Sequence, residues 1–89
     1  MPLNIVLHGE YTLHNLERLQ ELLLSALDEQ GEVAITCKDL TYLDTAAFQL
    51  IVALKKSLGN RPLVLQEVPS AILESADLLG LTTFLKLRG

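Results

Sequence analysis

Short apolar runs alternate with helical stretches along the whole chain, and this order is the strongest constraint on the fold. Three runs rich in Val, Ile and Leu have the character of strands, at residues 3–7, 32–37 and 63–68. A helical stretch follows each of them. Parallel strands need such crossovers, and the crossovers are right-handed. The sequence therefore predicts an α/β domain built on a small, mostly parallel mixed sheet of four or five strands.

The first and third predicted helices have apolar residues at spacings of three and four. The first covers residues 15–30, with Asn15 as its N-cap, and the third opens with Ser70 as its N-cap. Gly31 and Gly80 end them. Their predicted inner faces consist of Leu16, Leu19, Leu22, Leu23, Ala26 and Leu27 in the first helix and Ile72, Leu73, Ala76 and Leu79 in the third.

The middle helix is apolar on nearly all sides. Asp44 or Thr45 caps it, and it runs to about Leu58. Such a helix is expected to be buried on more than one side. Residues 39–43 are predicted to be a connecting segment before it, and residues 81–87 are a final strand or helix.

The length of 89 residues limits how much of the sheet can be covered. A domain of this size buries only roughly 60–65% of the surface that its unfolded chain exposes. We expect one domain over residues 1–89, with the helices mainly on one sheet face. The other face would be partly exposed or covered by a partner, so a weak homodimer is an open expectation.

Charge and cysteine content exclude several classes of function. The net charge is −4, and residues 1–44 hold eight acidic side chains against two basic ones, which disfavours nucleic acid as a partner. A single cysteine, Cys37, cannot form a disulfide within the chain and favours a cytoplasmic location. Its simplest role is that of a small buried apolar residue. No apolar run reaches the length of a membrane span.

The pair Asp44-Thr45 stands where a turn meets the apolar helix. The N–H groups at a helix start lack partners, and the helix dipole is positive there. A phosphate on an exposed hydroxyl at this place would find N–H donors, and it would add about −1.5 to −2 charges to the surrounding surface. Helix capping alone is the simpler explanation of the pair, and both interpretations stay open from the residues.

Three segments resemble the STAS domain, the fold of anti-sigma-factor antagonists. Residues 7–13, Leu-His-Gly-Glu-Tyr-Thr-Leu, resemble the opening strand of that family. Residues 39–46, Asp-Leu-Thr-Tyr-Leu-Asp-Thr-Ala, resemble its Asp-Leu-Ser-x-x-x-x-Asp-Ser-Ser-Gly loop, with two residues fewer between the aspartates. Residues 78–84, Leu-Leu-Gly-Leu-Thr-Thr-Phe, resemble its Leu-x-Gly-Leu-x-x-x-Phe ending.

The resemblance implies a non-enzymatic module that switches protein partners in bacterial signalling. In the family, phosphorylation at the helix start releases an anti-sigma factor or a serine kinase. The usual phosphoacceptor position is Ala46 here and the glycine position is Ala47, so Thr45 is the remaining candidate phosphoacceptor, and Thr41 matches a position that is not an acceptor. The implied partner-binding residues are Asp44, Thr45, Ala46, Ala47 and Gln49.

The sequence leaves the branch of the family open. Asp-Thr-Ala before an apolar helix is also similar to the STAS subunit of the Mla phospholipid-transport complex, which docks on the transporter ATPase, and to STAS proteins encoded with chemotaxis genes. Two other classes remain as alternatives, a small hydrolase or transferase and a lipid- or ligand-binding domain. Cys37, Thr45, His8 and His14 form no recognised triad order, and neither a metal set nor a phosphate loop appears, so no cofactor is expected.

Overall fold

The computed structural model describes residues 3–89, in which four strands alternate with three α-helices. All neighbouring strands are parallel, in the order β1-β2-β3-β4. This arrangement confirms the predicted α/β class. The elements are β1 (Leu3–Tyr11), α1 (Leu16–Leu24), β2 (Val33–Leu43), α2 (Thr45–Leu58), β3 (Leu63–Gln66), α3 (Ser70–Leu78) and β4 (Lys86–Leu87).

The strand order places the helices on one face of the sheet. Each crossover leads to the next strand in the same direction, and right-handed crossovers of that kind all lie on the same side. The burial pattern of β1 agrees, since Ile5 and Leu7 are buried whereas Asn4, Val6 and His8 are exposed. The second face therefore stays open in the chain by itself.

Helix α2 forms the centre of the helical layer, as its apolar composition predicts. It buries one long stripe against the sheet and the neighbouring helices, and burial of each large apolar side chain contributes roughly 1.5–3 kcal/mol. Cys37 is fully buried on the inner face of β2, which confirms its predicted role as a small apolar residue. The buried residues of α2 are Ala47, Phe48, Ile51, Leu54 and Leu58.

The prediction of a connecting segment at residues 39–43 is wrong, because β2 continues through Leu43. Strand β1 likewise runs without a break to Tyr11, and the two strands stay paired to the end. Two register shifts, between Val6 and His8 and between Gly9 and Glu10, let β2 accommodate additional residues opposite β1. The sequence hides this extension because Lys38 and Asp39 interrupt the apolar run.

Helix α1 is shorter than predicted. It ends at Leu24 and continues as a 3₁₀ turn over Ser25–Asp28. The tighter winding rotates later side chains around the axis, and this leaves Leu27 exposed rather than on the inner face. Leu22 and Leu79 are also exposed, contrary to prediction. At the start of α3, Pro69 rather than Ser70 holds the N-cap position.

None of the helices within residues 3–89 has the length and apolar character that a membrane crossing needs. The longest of them, α2, has 14 residues.

Candidate functional site

The start of α2 lies at the carboxyl edge of the sheet, beside the end of β1. Strand β2 passes into the helix through Asp44, and the N–H of Asp44 donates to the carbonyl oxygen of Tyr11 at 3.2 Å. The C=O of Asp44 accepts from the N–H of Phe48 at 3.1 Å, the first bond of the helix. The junction is therefore tied to two strands and to the helix that follows.

Both carboxylate oxygens of Asp44 accept backbone hydrogen bonds. Oδ1 accepts from the N–H of Ala47 at 2.9 Å, and Oδ2 accepts from the N–H of Leu13 at 2.7 Å. The first bond caps α2 and satisfies one of the donors that a helix start leaves unpaired. The second bond joins α2 to the segment after β1, across 31 residues of sequence. Of the two predicted caps, Asp44 is the one used, and its carboxylate holds the surface in shape.

The Thr45 side chain is exposed at the first position of α2. Its hydroxyl makes no hydrogen bond within residues 3–89. The N–H groups of Ala47 and Phe48 bind the side chain and the carbonyl oxygen of Asp44, so those of Thr45 and Ala46 are the ones in the first turn that have no intrahelical partner. The role of Thr45 as a phosphoacceptor stays a prediction, and its side chain is exposed at the start of the helix.

The other predicted partner-binding residues differ in exposure. Gln49 is exposed one turn along α2, and Ala46 is half-buried. Ala47 is completely buried beneath the first turn. Its side chain therefore presents no surface to a partner, and its small size instead lets α2 begin close to the sheet.

An apolar groove of about 210 Å³ lies beside Thr45, between the end of β2, the start of α2 and the end of α3. Leu78, at the end of α3, is 88% exposed and is the most exposed large apolar side chain of the described residues. Tyr42 and Leu79 are exposed in the same groove. The complete lining is Tyr42, Leu43, Asp44, Thr45, Phe48, Ser75, Leu78 and Leu79.

Sequence reasoning did not identify these apolar residues as part of the site. One signal was present, since Leu78 lies off the spacing of three and four residues that joins Ile72, Ala76 and Leu79. Tyr42 gave no signal, because its orientation depends on the irregular register between β1 and β2.

A short 3₁₀ turn over Leu13–Asn15 forms the opposite rim of the helix start. Thr12 and Asn15 brace it reciprocally. The Thr12 hydroxyl accepts from the N–H of His14 at 3.1 Å, and Asn15 Oδ1 accepts from the N–H of Thr12 at 2.6 Å. Leu13, which is 68% exposed, is therefore presented on an ordered backbone whose N–H is bound to Asp44.

The side chains that an enzyme of this sequence would use lie in different environments. Burial raises the pKa of the Cys37 thiol to about 12, so the thiolate that attacks substrates is suppressed at neutral pH. His8 and His14 are exposed. Within residues 3–89, no three His, Cys, Asp or Glu side chains are grouped closely enough to hold a metal ion.

A family model described as "Mlab, STAS domain" matches residues 2–88, nearly the whole chain. A search of curated proteins finds no match.

Proposed function

Because the chain belongs to the STAS domain family, which supports a role as an interaction module, we propose that it is a non-enzymatic protein that binds a protein partner through the start of α2. The binding surface consists of Thr45, Gln49, Leu13, Tyr42 and Leu78, and we call it the α2 docking surface. Asp44 positions this surface through its two backbone hydrogen bonds.

The observation that carries the proposal is an exposed apolar rim around an unengaged hydroxyl. Leu78 is 88% exposed and Leu13 is 68% exposed. A partner that covers these side chains would remove apolar surface from water, which is favourable. The groove of about 210 Å³ is smaller than typical small-molecule sites of roughly 300–1,000 Å³. It therefore fits one or two side chains of a protein better than a complete small ligand.

We further propose that phosphorylation of Thr45 switches the partner. Its phosphate would receive hydrogen bonds from the N–H groups of Thr45 and Ala46 and would bring about −1.5 to −2 charges beside the apolar groove. The Asp44 carboxylate is adjacent and negative, so the modified surface would disfavour an apolar or acidic partner surface. On this proposal the fold tolerates the modification, whereas the complex with an anti-sigma factor or a serine kinase does not.

A second candidate is an accessory subunit that binds a transporter ATPase without a switch. Two observations favour it: the family whose model matches the chain carries the name Mlab, and Ala46 stands at the usual phosphoacceptor position. The same α2 docking surface would be used, with Thr45 unmodified in the complex. Either candidate places the protein in the cytoplasm, as the cysteine content led us to expect.

Affinity capture from the native host, with purified protein as bait, tests the docking surface. Thr45→Glu and Leu78→Ser are expected to lose the partner that wild type retains. Leu24→Ser is the matched control, since Leu24 is also an exposed leucine at a helix end but lies on α1. Equal capture by all three variants, with circular dichroism showing intact folds, would exclude the α2 docking surface.

Mass spectrometry of the protein isolated from its host separates the two candidates. The switch predicts a phosphopeptide that contains modified Thr45, and Thr45→Val should abolish it while Thr41→Val leaves it unchanged. The accessory-subunit candidate predicts a transporter ATPase in stoichiometric complex with protein in which Thr45 is unmodified.

A further inference from the structure

The two edges of the sheet differ in how well they are protected from other chains. Strand β4 forms one edge with only two residues, and one of them is Lys86. Shortness and lysine both discourage pairing with a further strand. Strand β1 forms the other edge with nine residues, Leu3–Tyr11, and includes neither proline nor lysine. An edge of this kind is a template for strand addition.

The hydrogen bonds of β1 define which groups face the open edge. The N–H of Leu3 donates to the carbonyl oxygen of Glu32 at 3.0 Å, and the carbonyl oxygen of Tyr11 accepts from the N–H of Asp44 at 3.2 Å. Both bonds are on the β2 side of the strand, so the backbone groups of the odd-numbered residues face β2. Because a strand alternates its backbone groups between its two edges, the even-numbered residues face outward. The outward C=O of Glu10 is already occupied, since Asn15 Nδ2 donates to it at 2.9 Å.

Three residues therefore offer a complete set of backbone groups at the open edge. Asn4, Val6 and His8 each contribute one N–H and one C=O. Val6 lies in the middle of these three residues, with Asn4 on one side and His8 on the other. Beyond His8, the Asn15 side chain already occupies the outward carbonyl of Glu10.

We propose that a second copy of this chain pairs with β1 antiparallel, about a two-fold axis at Val6. In this register Val6 faces the second copy's Val6, and Asn4 faces the second copy's His8. Each facing pair exchanges two backbone hydrogen bonds, so every outward group at these three positions is used in both copies. The product is a continuous sheet with both β1 strands at its centre and all helices on one face.

The side chains at the edge suit pairing with an identical strand. No residue from Leu3 to Gly9 carries a formal charge with His8 neutral, so like charges on the two β1 strands do not face each other. The charged residues that line the groove beside β1 are Arg18 and Glu21 of α1. Val6 is 51% exposed, and Leu22 of α1 is 38% exposed in the same groove beside β1. Pairing would cover apolar surface at both positions. A two-fold interface is also the commonest way in which identical chains associate.

Sedimentation velocity over a concentration series tests the dimer with the variant Val6→Lys. Two lysines would then face each other at the axis, and we expect the dissociation constant to rise at least about tenfold through like-charge repulsion. The matched control is Val64→Lys, because Val64 lies on the same open face but on β3, away from the edge. Wild type that stays monomeric up to about 1 mM, a weak-binding limit, or equal weakening by both variants, would overturn the proposal.

Amide hydrogen exchange locates the interface independently of mutation. The amides of Asn4, Val6 and His8 should become protected as the protein concentration rises through the dimer transition, while those of β4 keep a constant rate. A dimer that protects other segments instead would refute the β1 pairing. So would protection of β1 that needs a different protein to be present.

A proline variant tests whether a loss of dimer comes from the missing edge hydrogen bond and not from a misfolded chain. Val6→Pro removes the outward N–H at the axis but none of the bonds that join β1 to β2, because Val6 faces the open edge. We expect circular dichroism to show an intact fold and sedimentation velocity to show a monomer. A Val6→Pro variant that still dimerises with wild-type affinity would contradict the register.

Discussion

Replacing Asp44 with alanine should destabilise the domain more than any other change of a polar side chain at the helix start. The substitution removes both acceptors at once, leaving the N–H of Ala47 without its cap and the N–H of Leu13 without its link to α2. Because Leu13 lies 31 residues earlier, the loss affects two separate segments of the chain.

The size of the effect follows from the two bonds. Loss of a helix N-cap costs about 1 kcal/mol. A hydrogen bond to a charged acceptor contributes about 1.5–3 kcal/mol when buried, and we take about 1 kcal/mol here because Leu13 is exposed and water replaces part of it. The total of about 2 kcal/mol corresponds to a fall in melting temperature of about 10 °C, since a domain of this length unfolds with an entropy near 0.2 kcal/mol/K.

Urea unfolding followed by circular dichroism measures the change. Asp44→Asn should fall about halfway between wild type and Asp44→Ala, because an amide has one oxygen and can accept only one of the two bonds. Asp39→Ala is the control, since Asp39 is exposed and its side chain makes no hydrogen bond within the described residues. If Asp44→Ala were as stable as Asp39→Ala, or if Asp44→Asn were as unstable as Asp44→Ala, the two-bond account would be refuted.

Three further changes test other parts of the structure. Cys37 should resist a disulfide reagent at pH 8 until urea unfolds the protein, and rapid labelling of the native protein would contradict this. The free energy of unfolding should fall as the pH rises from 9 toward 12, because the thiol ionises at a lower pH in the unfolded chain than in the folded one. Arg61→Ala should cost about 2 kcal/mol in urea unfolding, since Nε and Nη1 donate to the carbonyls of Gly31 and Ala26 at 2.9 Å each. Glu67→Gly should raise stability by about 1 kcal/mol in the same assay, because Glu67 has a φ of 54°, whereas Glu67→Ala should bring no gain.

The order of the elements was predictable because the spacing of apolar residues decides between strand and helix. The extension of β2 through Leu43 was not, since it depends on pairing with Gly9–Tyr11 through two register shifts. Local propensity carries no information about such long-range pairing. The error at Leu27 has a local cause, since its exposure follows from the 3₁₀ turn that ends the first helical segment.

The candidate site was predictable in part for a related reason. Asp44 and Thr45 could be identified because a polar pair before an apolar helix has a local meaning, namely a helix start. The sequence could not show that Asp44 is the cap and Thr45 the exposed residue, because Asp44 is held by the N–H of Leu13, which is distant in sequence. The apolar rim around Thr45 depends on how the end of α3 meets β2, and only the assembled fold determines that.

The α2 docking surface lies beyond the carboxyl ends of the strands, whereas the β1 edge runs along the side of the sheet, and this arrangement has a consequence for assembly. A two-fold axis at Val6 runs the β1 strands of the two copies in opposite directions. The helix starts, which lie at the carboxyl ends of the strands, would then point to opposite ends of the joined sheet. Two partners could bind one dimer without contact, and linked binding of that kind raises avidity when the partner is itself dimeric. Thr45→Glu should therefore leave the sedimentation of the dimer unchanged, and a shift toward monomer would show that the two surfaces are coupled.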